Sequence, residues 1–135
     1  MPGPERLLVL DASLNRRIAA ELKGRGRAAT AAAELGMARA GDSELLRGVT
    51  RRMGSQPWVL VTADDFLPAE HAELVADLGV TVATVQAQGR GRGVDEERFA
   101  RETCHRWAHS MAHQAAGVVR RYSPAASRPW TARLR

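Results

Sequence analysis

The stretch WVLVTADD, residues 58–65, decides the fold. Trp58 to Val61 is a continuous apolar run without polar alternation, the pattern of a strand buried on both faces of a parallel sheet. It ends at Thr62, just before two carboxylates, Asp64 and Asp65. A second run of the same kind, LLVLD at 7–11, closes on Asp11. Parallel strands need helical crossovers, and in such sheets ligands bind outside the carboxyl ends of the strands. Both sets of acids are therefore expected at one edge.

Working outward, Leu14, Ile18, Ala19 and Leu22 recur at helical spacing, with Arg16, Arg17 and Lys23 between them and Gly24 and Gly26 to stop the helix. Residues 28–35 read two ways, because alanine favours helix while a βαβ series asks for a short strand here; strand is preferred. Asp42 follows Gly41 and precedes Leu45, Leu46, Val49 and Met53, so it is expected to be the N-cap of a second helix. Pro68 opens a third helix with Ala72, Leu74, Val75 and Leu78 on its apolar face, and residues 80–85 form the next strand.

Residues 86–94 are expected to be a glycine- and arginine-rich loop. A long helix is predicted over 95–122, with Asp95, Glu96 and Glu97 in its first turn and Arg120 and Arg121 in its last, as the helix dipole prefers. Residues 123–135, containing Pro124 and Pro129, are expected to be an irregular tail. The expected architecture is a single domain over 1–122: three-layer α/β, a mainly parallel central sheet flanked by helices, with a long C-terminal helix.

A chain of 135 residues can bury a sizeable core without staples. Its lone cysteine, Cys104, excludes an internal disulfide and a thiolate metal cluster. The run at 7–10 is too short for a signal h-region or a membrane span, so a cytoplasmic protein with no membrane partner is expected. A net charge of +5, almost all of the basic residues being arginine, permits attraction to nucleic acid or to an acidic protein without choosing between them.

Two carboxylates about 4 Å apart repel by roughly 4 kcal/mol at an effective dielectric near 20, so several together need protons or a cation. Magnesium or manganese takes oxygen ligands and keeps several waters, which suits hydrolysis of a phosphodiester. Each acid also has a purely structural reading: Asp42 as a helix cap, Asp65 as a turn residue, Asp11 in a strand-end turn.

The segments LLVLDASL at 7–14, ELGMARAGDSELL at 34–46 and WVLVTADDF at 58–66 together resemble the PIN-like nuclease superfamily, especially its small toxin-like and Mut7-C-related branches. The resemblance runs from Leu7 to about Val85. It implies a PIN-like fold and an endoribonuclease dependent on Mg2+ or Mn2+, with the ion held by Asp11, Asp42 or Glu44, and Asp64. Asp65 would be an accessory acid. Where the family spaces its last two acids by one residue, Asp64 and Asp65 are adjacent and point apart in an extended segment, which favours Asp64 as the ligand. Thr62 would orient that loop through its hydroxyl. The toxin-like branch further implies a toxin–antitoxin pair with a small antitoxin protein as partner, and a homodimer.

Arg16, Arg17, Arg90 and Arg92 are the candidate RNA phosphate contacts, against the alternative of a solvated face. His105, His109 and His113 share one helical stripe, read as a polar face rather than a zinc site; Trp107, Met111, Ala115 and Val118 form an apolar stripe beside it. Trp130 is expected to dock on a partner or a neighbouring subunit. Two other readings stand beside the nuclease: a non-catalytic PIN-like module that binds RNA or protein, and a phosphatase-like or receiver-like domain. The latter would want a lysine near the acids, and Lys23 falls in the wrong segment.

Overall fold

The computed structural model describes residues 5–65, 67–85 and 94–130. Its elements are β1 (Leu7–Leu10), α1 (Arg16–Gly24), β2 (Ala29–Ala31), a 3-10 turn (Ala32–Leu35), α2 (Asp42–Met53), β3 (Trp58–Thr62), α3 (Leu67–Glu70), α4 (Ala72–Leu78), β4 (Val82–Val85), α5 (Val94–Ala112), β5 (Val119–Tyr122) and β6 (Ser127–Pro129). The strands form one six-stranded sheet in the order β2-β1-β3-β4-β5-β6, parallel throughout except for the antiparallel β6.

Side-chain alternation divides the core into two layers. On one face Leu8, Leu10, Val59, Val61, Ala83 and Val85 pack with Ile18 and Leu22 of α1 and Cys104, Ala108 and Met111 of α5. On the other, Val9, Trp58, Leu60 and Val82 pack with Leu45, Leu46 and Val49 of α2, Leu67 of α3 and Val75 of α4. Helices thus cover both faces of the sheet. None of the described helices is long and apolar enough to cross a membrane.

Several boundaries differ from those read in the sequence. The segment 28–35 divides, three residues joining the sheet as β2 and the next four turning as a 3-10 helix closed by Gly36. Asp42 is not the N-cap: Gly41 occupies that position without a side-chain bond, and Asp42 is the first helical residue. The expected third helix begins at Leu67 and breaks at His71 into α3 and α4.

The largest correction is to the helix expected over 95–122, which ends at Ala112 and so is not C-terminal in the fold. Gly117 takes φ +74, which side-chain-bearing residues rarely adopt, and donates its N–H to Thr81 Oγ1 at 2.9 Å. Beyond it Val119–Tyr122 pairs with β4, and β6 forms within the supposed tail at 123–135. Arg120 and Arg121 are therefore strand residues, while Ala115 and Val118 are exposed beyond the helix rather than part of an apolar stripe. The physical reason is the sheet: without β5, the backbone donors and acceptors of β4 would lie unpaired at an edge.

A buried amide ties this end together. Gln114 donates Nε2 to the carbonyls of Val82 and Val118, both at 2.7 Å, and accepts the Tyr122 hydroxyl at Oε1 at 2.8 Å. Tyr122→Phe leaves that acceptor unpaired in the interior, which costs about 1–3 kcal/mol. Urea unfolding is expected to show a lower midpoint with an unchanged slope.

Candidate functional site

β1 and β3 pair in parallel with Leu10 beside Val61, and the Asp11 N–H continues the ladder to Val61 O at 3.0 Å. Asp11 and Thr62 therefore follow side by side at the carboxyl edge, on the face covered by α2, α3 and α4. Ser13 stitches the two strand ends. Its N–H donates to Asp11 Oδ1 at 3.0 Å and its hydroxyl donates to the same oxygen. Ser13 Oγ accepts the Ala63 N–H at 2.9 Å. The Ser13 and Thr62 hydroxyl oxygens lie 3.4 Å apart, and both hydroxyls face Asp11. Thr62 Oγ1 in turn accepts the Asp64 N–H at 3.0 Å, so the Thr62 hydroxyl bonds the backbone of the Asp64 loop.

Asp11 is only 6% exposed. Burial raises its pKa above the ordinary 3.8, with a smaller contribution in the same direction from the Asp42 charge, against the hydrogen bonds from Ser13 and Thr62 that lower it. Asp42, at the start of α2, is thus near enough to Asp11 for its charge to be felt. It also pairs with His71, whose Nε2 lies 3.5 Å from Asp42 Oδ2. Asp42, Glu70 and His71 bring one potential ligand atom each within 4.8 Å of one another, the one such set of three among the described residues. Asp11 and Asp64 stand outside that set.

Glu44 is exposed on the first turn of α2, and Arg16 and Arg17 are exposed on the first turn of α1. Arg90 and Arg92 lie outside the described residues. Asp65 is engaged by Arg121, which donates Nε to its Oδ1 at 3.0 Å and forms a second contact to Oδ2, a bidentate pair. Trp130 docks within its own chain, its indole N–H reaching the Asp65 carbonyl at 3.1 Å. The histidine stripe is divided among neighbours: His105 meets Glu21 at 2.7 Å, while His109 and His113 stack on each other with ring centroids 4.3 Å apart.

Residues that sequence reasoning passed over complete the row. Thr84 is the β4 partner of Thr62, and Arg121 is the β5 partner of Thr84, so Asp11, Thr62, Thr84 and Arg121 run across one face at the carboxyl edge. The Thr84 hydroxyl is fully buried and finds no hydrogen-bond partner. A threonine inside a buried strand gives no signal beyond β propensity, and Arg121 was hidden by its assignment to a helix. Glu70 and His71 had a weak signal, a histidine and acid just after a proline that opens a helix.

Among protein-family models, curated proteins and solved structures, the chain matches none.

The buried acid has a direct consequence for stability. Between pH 3.8, where the unfolded carboxyl titrates, and the higher pH at which the folded one does, the native state holds the extra proton, so stability falls as pH rises through that window. Asp11→Asn removes the penalty. In chelator-containing buffer the variant should melt above wild type at pH 7, the difference closing as pH falls towards 3.8. Melting curves across that range check the sign.

Proposed function

We propose that the chain is a PIN-like endoribonuclease that hydrolyses RNA phosphodiesters with Mg2+ or Mn2+, using Asp11, Asp42 and Asp64 as the ligand carboxylates. The observation that carries this reading is the β1–β3 edge itself, where the nearly buried Asp11 carboxyl is raised by burial and by Asp42 and is tied through Ser13 and Thr62 to the loop bearing Asp64. The donor set fits a hard divalent cation, because all three groups are carboxylate oxygens and a charge of opposite sign would offset the cost of ionising Asp11. When bound, such an ion supplies Lewis-acid polarisation and lowers the pKa of a water.

The chain's own residues would then have distinct tasks. Ser13 holds one oxygen of Asp11, fixing the orientation of the other. Thr62 fixes the Asp64 backbone. His71 pairs with Asp42 at the start of α2, Glu44 lies on the same first turn, and the exposed Arg16 and Arg17 at the start of α1 would meet phosphates. The toxin-like resemblance adds a small antitoxin protein as inhibitor, a second copy of the chain as partner, and the cytoplasm as location. A non-catalytic PIN-like module is the second reading, favoured by the observation that Asp11 and Asp64 stand outside the one tight ligand set among the described residues.

Single-turnover cleavage of a mixed panel of structured RNAs in manganese separates the two. Asp11→Asn and Asp64→Asn are expected to reduce cleavage by orders of magnitude with the fold intact. Cleavage retained by both variants overturns the assignment of these acids, and no cleavage by wild type favours the binding module. Metal at a hundredfold excess over its dissociation constant should stabilise wild type by about 2.7 kcal/mol, and Asp64→Asn by much less.

RNA affinity gives an independent check on the basic residues. Removing Arg16 and Arg17 together should flatten the plot of log affinity against log salt by about one to two units. An unchanged slope would return them to a solvated face.

A further inference from the structure

Asp65 is gripped by a part of the chain far from it in sequence. Arg121, in β5, must reach past the end of β4 to form its bidentate pair, and each partner's side chain is 29% exposed. Trp130, immediately after β6, comes to the same residue from the sheet edge and binds its main-chain carbonyl. The Trp130 backbone N–H bonds to Val119 O at 3.3 Å, so the main chain that carries the indole is anchored to β5 as well. On the other side, Asp64 is held by its N–H on Thr62. The backbone on both sides of the Asp64 side chain is thereby fixed, at the Asp64 N–H upstream and at the Asp65 carboxylate and carbonyl downstream.

We propose that Arg121 and Trp130 are positioning residues: the β5–β6 hairpin is a strap that holds Asp65 and so sets the direction of the Asp64 carboxylate. The inference rests on the reading of Asp64 as a metal ligand. It also redefines Asp65, which serves as the strap's attachment point rather than as an accessory acid, its charge matched by a guanidinium. The bidentate geometry matters because a single point charge would leave the Asp65 carboxylate free to rotate. β6 is only three residues long, includes Pro129 and pairs with β5 alone, so sheet pairing is a weak reason for its presence. Returning Trp130 to Asp65 is a stronger one.

The test uses the full chain with Arg121→Gln, Arg121→Lys and Trp130→Phe, the last keeping an aromatic ring and removing the donor. Manganese affinity is read from the spin-resonance signal of free Mn2+, and amide exchange of Ala63 and Asp64 by NMR. Arg121→Gln and Trp130→Phe are expected to weaken Mn2+ binding about 10- to 100-fold, as loss of residues that orient metal ligands does. Exchange at Ala63 and Asp64 should quicken while exchange within β1 stays as in wild type. Arg121→Lys should recover part of the affinity. Unchanged affinity and unchanged exchange overturn the strap, and so does faster exchange throughout β1, which would mean a general loss of stability. If wild type takes up no Mn2+, the metal reading fails and exchange alone decides the strap: quickening confined to Ala63 and Asp64 sustains it, and no quickening overturns it.

Discussion

β1 and β3 lie in the middle of the sheet with apolar side chains on both faces, and the register Leu7 to Trp58 through Leu10 to Val61 is held between two helical layers. A slip of one residue would send every side chain of a strand to the opposite layer, moving Leu10 and Val61 from the α1–α5 side to the α2–α4 side. The register is therefore set by packing, and the position of the polar edge follows from it. With both faces buried, neither strand can carry a charge along its length without desolvating it. Polar chemistry is displaced to the first positions beyond the apolar run, which are Asp11 on one strand and Thr62 to Asp65 on the other.

That constraint explains which features were legible in the residues. Two four-residue apolar runs, one closing on Asp11 and the other just before Asp64 and Asp65, read directly as central parallel strands, and their ends read as a shared edge. The alanines of 28–35 carried no such pattern, because alanine fits a short strand or a turn equally well once neighbouring elements cover it. The end of α5 was illegible for a related reason: Met111, Ala115 and Val118 continue a helical spacing that only Gly117 interrupts, and the pull of the open β4 edge has no local signature. The polar row suffered most from this. Reading β5 as helix removed Arg121 from the sheet and with it the partner of Asp65, and left Trp130 to be assigned to another molecule.

The adjacent acids Asp64 and Asp65 show how the same residue type acquires different chemistry from its surroundings. Asp65 meets a guanidinium in bidentate geometry, so its charge is satisfied by the protein. At Asp11 the compensation comes from hydroxyls and an N–H, which lower the pKa without overcoming burial and Asp42. Cationic side chains are abundant in this sequence, and one reaches Asp65, yet the hydrogen bonds found for Asp11 all come from neutral donors.

A fold that places a carboxyl at 6% exposure near a second acid, and leaves the Thr84 hydroxyl two strands away unpartnered, accepts cost at one edge. Packing alone does not call for it: an asparagine at residue 11 could still accept from Ser13 without an ionisation penalty, and a valine at residue 84 would fill the same volume with no orphaned hydroxyl. Costs concentrated where strand ends converge are the ones that function tends to retain against stability. The same edge is where the proposed cation would recover part of the cost, since a positive charge beside Asp11 favours the ionised form that burial opposes.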